Sequence, residues 1–387
     1  MIMTAIKLPT ASGGIETFSF SGASVTPDRG EWNRKVFAAA HVVVDPLADN
    51  NPWSDCNVDW DKTMAFRRHL WSLGFGVAEA MDTAQRGMGM DWPTSLELIQ
   101  RSVKEAKAGG HSIACGAGTD HLDPADAKTI DDVIAAYEMQ CEAVEATGGQ
   151  VILMASRALC KVAKSADDYA RVYGRILSGL KQPAVLHWLG EMFDPALEGY
   201  WASADHMAAM DTCLKIIEDN AAKVDGIKIS LLSAEKEIAM RRRLPDGVKM
   251  YTGDDFNYPD LIAGDDQGYS HALLGIFDPI APVAATGLAA LAKGDMQRWG
   301  AVMEPTVPLS RHIFKAPTRY YKTGVVFLAY LMGHQDHFTM LGGQQSARSA
   351  QHLAEIVRLA DAAGLIADTE MAAARTARVM ATHGIGV

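Results

Sequence analysis

Cysteine is scarce and shows no pairing pattern: Cys56, Cys115, Cys141, Cys160 and Cys213 are the only five, and no two form a CxxC pair. An odd number at wide spacing excludes the disulfide framework of a small secreted domain and the ligand spacing of a zinc ribbon. Positive charge is in deficit, with 36 Lys and Arg against 47 Asp and Glu and a formal net charge of -11. Such a surface repels phosphate backbones, so nucleic acid is not an expected partner. Long apolar runs are missing too. The longest one near the C-terminus, residues 324–332, falls far short of the ~20 residues a membrane span requires. The first residues lack the charged segment and apolar run of a secretory signal. A soluble, cytoplasmic protein with no membrane partner is expected. The segment after Val44, DPLADNNPW, contains no glycine-rich phosphate loop, which argues against a doubly wound nucleotide-binding sheet.

What is present is regular alternation. Short apolar runs occur at 36–44, 74–81, 112–115, 150–155, 183–188, 226–231, 249–252 and 269–274. Amphipathic stretches separate them at 61–73, 95–108, 130–147, 167–180 and 204–222, and glycines (Gly74, Gly110, Gly148, Gly226) often introduce the runs. Strand–helix units repeated in this way predict an α/β fold, a closed (β/α)8 TIM barrel. The 387 residues exceed the about 250 of one barrel. The surplus is assigned to an N-terminal arm (1–34) and a C-terminal helical extension (284–387), leaving 35–283 for the barrel. With 48% apolar residues the chain has ample material for a core, and its 19 methionines are read as core filling.

Active sites of such barrels lie at the C-terminal ends of the strands. The polar residues expected there are His41 and Asp45 after the first strand, then Asp82, Thr83 and Gln85 after the second. Asp120 and His121 follow the third, Ser156 and Arg157 the fourth, and His187 with Glu191 the fifth. The sixth strand carries Lys228, and the seventh ends in Asp254 and Asp255. Lys228 is the outlier, because it lies between Ile227 and Ile229 inside a strand that reads as buried. Burial lowers a lysine's pKa, and the neutral amine can attack a ketone or aldehyde to form an imine. The residues alone leave a second reading open, a lysine ion-paired to Asp254 or Asp255. His187 suits general acid–base work near neutral pH. Four histidines, His111, His121, His187 and His271, together with Asp82 and Asp120, would make a divalent-metal site if the fold gathered them, although no pair has short i, i+4 spacing. The segment His334-Gln335-Asp336-His337-Phe338 reads as a polar loop between helices, exposed, or folded over the barrel mouth or against a partner subunit, and Arg241-Arg242-Arg243 as a solvated helix face.

Several motifs occur in a telling order. DGIKIS (225–230) is followed by YTGDD (251–255) and then by LIAGDDQGYSHALLGIFDPIAP (261–282), and upstream stand NVDWDKTMAFRRHLWSLGFG (57–76) and PAVLHWLG (183–190). Over roughly residues 35–340 the chain resembles the dihydrodipicolinate synthase / N-acetylneuraminate lyase superfamily of class I aldolases, in a "dihydrodipicolinate synthase-like" branch. The resemblance implies a lyase in which Lys228 is the Schiff-base residue, no separate cofactor is needed and the partner is a small carbonyl substrate. It also implies a homo-oligomer. Two departures bear on that substrate. Where the family has a proton-shuttling tyrosine at the end of strand five, this chain has His187. Where the family binds a substrate carboxylate with a Gly-Thr-Thr-Gly-Glu turn, this chain reads Met81-Asp82-Thr83-Ala84-Gln85-Arg86-Gly87. Asp82 disfavours a neighbouring carboxylate unless Arg86 or the turn amides offset it. A neutral polyol, keto sugar or lactone is therefore the expected substrate, held by Asp82, Thr83, Gln85, Glu191, Asp254 and Asp255. The alternatives are a dehydratase or hydratase using the same imine, a lyase dependent on a divalent metal, and a barrel that binds a metabolite without turning it over.

Overall fold

The computed structural model describes residues 5–28, 30–49 and 51–386. Ten strands are formed: β1 (Ala5–Pro9), β2 (Ile15–Ser19), β3 (Val36–Ala39), β4 (Gly76–Glu79), β5 (Ile113–Ala117), β6 (Gln150–Leu153), β7 (Ala184–Leu189), β8 (Val224–Ser230), β9 (Lys249–Thr252) and β10 (His271–Leu274). The last eight close into one parallel barrel in the order β10-β3-β4-β5-β6-β7-β8-β9, the (β/α)8 fold expected from the alternation. The chain divides into two compact units.

One unit comprises residues 34–40 and 76–275 and contains the whole barrel. Its core is the inward face of the strands: Phe37, Ala39, Ala78, Ala114, Ile152, Val185, Tyr251 and Leu273, each at most 1% exposed. Side chains alternate along a strand, so the residue two places beyond each of these faces the same interior, one layer nearer the C-terminal mouth. The helices of this unit begin on side-chain caps. Thr129 and Asp132 form a capping box at Ile130–Thr147, while Asp91, Ser165, Asp205 and Ser233 cap other helices. Gly148 ends Ile130–Thr147 in the left-handed region (φ 79°), and β6 begins two residues later. The glycines that introduce strands are thus largely the terminators of the preceding helices.

The other unit comprises residues 1–33, 41–75 and 276–387. The β1–β2 hairpin packs on helices Ala350–Ala362 and Thr369–Thr382. It is fastened by Arg358, which donates to the Pro9 carbonyl and pairs with Glu16, and by Asp361, which accepts from the Ser21 amide and hydroxyl. Helix Tyr321–Leu331 is buried along its whole length. In the segment 334–338 only Asp336 is exposed. The His334 ring lies 4.6 Å from that of His69 and 5.0 Å from Phe66, and His337 Nε2 is 3.0 Å from the Val44 carbonyl oxygen. Burial pushes the His334 pKa down to about 3, with further lowering from His69. Among the described residues no helix is long and apolar enough to cross a membrane.

Glu237, in helix Ala234–Arg241 of the barrel unit, is a buried carboxyl whose Oε1 bonds the Ser270 hydroxyl at 2.7 Å while Oε2 has no partner. Burial raises its pKa from 4.5 to about 8. A folded-state pKa above the unfolded one gives stability that is full below pH 4.5 and is lost as pH rises through about 8. Glu237→Gln is therefore expected to remove this loss. Above pH 8 the variant should be the more stable protein, by up to about 5 kcal/mol. Urea unfolding at pH 5 and pH 8 measures the difference, and parallel pH dependences in the two proteins would contradict the assignment.

Candidate active site

Lys228 occupies β8, with His187 of β7 and Tyr251 of β9 as its cross-strand neighbours. Val185 and Tyr251 belong to the barrel core, so His187, two beyond Val185, and Gly253, two beyond Tyr251, face the interior one layer higher. Lys228 is 7% exposed and His187 1% exposed. Gly253 leaves room for β8 beside it, because a Cβ there would stand 2.4 Å from Ser230 Oγ, 2.6 Å from the Ile229 carbonyl oxygen and 2.7 Å from Lys228 Cε. The strand-end GDD turn thus leaves the lysine stem its space.

Burial lowers the Lys228 pKa, and the nearby charges of Asp255 and Asp82 raise it in part. The amine makes no hydrogen bond or ion pair with the described residues. Of the two carboxylates considered as its ion-pair partner, Asp254 is spent on its own turn. Asp254 Oδ1 accepts from the amides of Phe256 (2.8 Å) and Asn257 (3.0 Å), and Oδ2 accepts from the Asn257 side chain. His187 is held neutral: burial, and then the Lys228 charge, push its pKa well below 6.5. Its Nδ1 has no partner and its Nε2 lies 3.5 Å from the Ser230 hydroxyl.

A cleft of about 610 Å3 opens to solvent over the barrel mouth, with His187, Asp82, Thr119, Met154, Arg157 and Asp194 among its walls. Two arginines border it, and they differ in kind. Arg86 has spent every donor. Its Nε and Nη2 grip Asp120 at 3.0 and 2.7 Å, Nη1 donates to the carbonyls of Gly116 (2.6 Å) and Ala80 (3.3 Å), and Nη2 also donates to Gln140. Burial alone would raise the Asp120 pKa, but the Arg86 charge and the bonds from Arg86 and Gln140 hold it low. Arg86 therefore has nothing left with which to offset Asp82. Arg157 is anchored only through Nε, to Asp194, and its side chain is 40% exposed.

Other expected site residues have local partners. Gln85, in the left-handed region at φ 63° and 1% exposed, donates to the Met88 carbonyl. Thr83 is buried in the same turn. Glu191 lies 3.1 Å from His206 Nε2, whose Nδ1 accepts from Lys236. The four histidines are not gathered: His271 opens β10 and His111 precedes β5, both at the end opposite the mouth, while His121 is bonded to Gln140. Among the described residues no three His, Cys, Asp or Glu side chains are grouped to hold a metal ion. Arg157 and Asp194 border the cleft although their sequence context gives neither a role. The signal available for Arg157 was its place at the fourth strand's end, and for Asp194, four residues beyond Gly190, there was none.

The fold is that of the dihydrodipicolinate synthases. The enzyme from Aquifex aeolicus superposes with a TM-score of 0.65 at 11% identity, covering 86% of this chain and 99% of that one. The Oceanobacillus iheyensis enzyme gives 0.62 at 13% identity over 84% and 95%. The chloride-inhibited Acinetobacter baumannii enzyme, solved in complex with pyruvate, gives 0.63 at 14% identity over 86% and 99%. No curated protein matches the sequence. The family model of a protein of unknown function, DUF993, matches residues 6–385, and the chain belongs to that family.

Proposed function

We propose that the protein is a lyase of the class I aldolase kind that binds a small hydroxylated carbonyl compound as an imine on Lys228. The observation that carries this reading is the state of the lysine. It is a buried amine with a lowered pKa and no bonded partner, beside a buried neutral histidine at the mouth of a barrel. A neutral amine has the lone pair to attack a carbonyl carbon; loss of water from the carbinolamine gives the imine. Once protonated, the imine is a cation beside Asp255 and Asp82, the two carboxylates that favour positive charge at this nitrogen. It withdraws electrons from the adjacent carbons, so that a bond to a β-carbon breaks when the β-hydroxyl gives up its proton. His187 is the base assigned to that proton, and it returns a proton to the enamine carbon afterwards. Expulsion of a β-hydroxyl as water uses the same electron sink, so a dehydratase is the close variant. The fold likeness to the dihydrodipicolinate synthases supports the reading at the level of reaction type.

The test is borohydride trapping. Incubation with dihydroxyacetone and sodium borohydride is expected to add one reduced carbonyl equivalent to the intact mass, mapped by peptide sequencing to Lys228. Absence of any adduct on Lys228 across a panel of small ketones and aldehydes would overturn the proposal.

A further inference from the structure

We infer that the substrate carries an anionic group, a carboxylate or a phosphate, set several atoms away from the carbonyl and bound by the terminal fork of Arg157. This inference rests on the imine reading and adds the substrate's charge and where that charge lies. The cleft offers anions very unequal treatment along its length. Asp82 and His187, the cross-strand neighbour of Lys228, line it, and the charges of Asp255 and Asp82 act on Lys228, so a carboxylate directly attached to the reacting carbonyl meets two negative charges. Arg86, the cation nearest in sequence to Asp82, has all five of its donors occupied by Asp120, Gln140 and two carbonyls.

At the other end Arg157 is held in a different way. Asp194 takes Nε and fixes the plane of the guanidinium, while Nη1 and Nη2 have no partner among the described residues. The fork rests against the turn at Gly87, where an added Cβ would lie 3.4 Å from Nη1. Arg157, Asp194, Gly87 and His187 all line the same cleft. An arginine fastened by one edge, with the other edge open into a cleft, presents two parallel N–H donors. That is the arrangement that grips a carboxylate or phosphate in bidentate fashion. The order of elements sets the separation. Lys228 is in β8, His187 in the neighbouring β7, and Arg157 follows β6 one strand further on. Adjacent strands are about 4.8 Å apart, so the anion site and the imine nitrogen stand on strands roughly 10 Å apart, with His187 between them. The bond broken or made then lies under His187, between the carbonyl and the anionic end.

Three probes of equal chain length separate the parts of this inference in the borohydride experiment: 4-oxopentanoate with a remote carboxylate, 2-oxopentanoate with an adjacent one, and neutral 5-hydroxypentan-2-one. The wild type is expected to trap 4-oxopentanoate on Lys228 roughly ten- to hundredfold faster than either of the others, the size of a pair of charge-assisted hydrogen bonds. In Arg157→Gln the ratio of 4-oxopentanoate to hydroxypentanone is expected to fall to about one, and Arg157→Lys, which keeps the charge without the fork, to give an intermediate ratio. Equal trapping of all three in the wild type, or a preference that survives Arg157→Gln, overturns the anion site and leaves the imine standing. Preference for 2-oxopentanoate overturns the remote placement. If nothing is trapped, the imine reading fails, and inorganic phosphate then decides the anion site by itself. A thermal shift with phosphate in the wild type and none in Arg157→Gln upholds the site, and no shift in either refutes it.

Discussion

Lys228→Ala is expected to lose the borohydride adduct entirely and to lower turnover by at least about a thousandfold, because no other described amine stands on the inner face at the barrel mouth. Lys228→Arg is expected to be equally inactive. A guanidinium keeps the positive charge near Asp255 and Asp82 but never offers a neutral nitrogen, so the pair of variants separates nucleophilic from electrostatic roles. Stability moves the other way. A lysine whose folded pKa lies below 10.5 contributes a cost that grows as pH falls from 10.5 toward the lowered value and is full below it. Lys228→Met, with an apolar chain of similar length, is expected to raise the unfolding midpoint at pH 7 and to narrow that gain as pH approaches 10. A Lys228→Met protein that unfolds earlier than the wild type would mean that the amine is a structural ion-pair partner, and the imine assignment would go with it.

The barrel was legible because its signal is redundant. Eight apolar runs, each followed by a helical stretch and often preceded by a helix-ending glycine, agree with one another, and all eight form strands in a single closed sheet. Lys228 was legible for a related reason: a charged residue between Ile227 and Ile229 breaks a pattern that is otherwise unambiguous. The division of labour among the surrounding polar residues was not. Arg86 and Arg157 look alike in sequence, each following a strand end. They differ only because Gly116, Asp120 and Gln140, from other parts of the chain, come together on Arg86. Asp254 and Asp255 are adjacent, yet the first caps a turn while the charge of the second acts on Lys228. Glu191 was placed among the substrate contacts because it follows His187 by four residues. In the fold it is engaged by His206, fifteen residues further on, and His206 by Lys236. Sequence order reports which strand end a residue occupies. Which donors remain unspent there is a tertiary property.

His187→Asn is expected to separate imine formation from the steps that follow it. The variant should still yield a borohydride adduct on Lys228, since the nucleophile and the Gly253 space beside it are intact, while turnover falls by about 10² to 10⁴-fold, the usual contribution of a positioned acid–base group. The pH profile carries the sharper test. An exposed histidine would impose a limb near pH 6.5, with activity lost as it takes up a proton. His187 is buried beside the cationic end of Lys228, and both effects lower its pKa, so its protonation limb belongs well below 6.5. In the wild type, kcat should therefore be flat through pH 6 to 7, and kcat/KM should rise with pH toward the lowered pKa of Lys228 as the amine loses its proton. The ring Nδ1 is buried without a protein partner, and Nε2 has only the distant Ser230 hydroxyl. His187→Tyr, which puts a phenolic hydroxyl where the dihydrodipicolinate synthase resemblance has one, is then expected to recover part of the lost kcat, with the acid limb absent. A wild-type limb near pH 6.5 that disappears in His187→Asn would show a histidine titrating in the open, and the proton would have to be assigned to a hydrated rather than a buried His187.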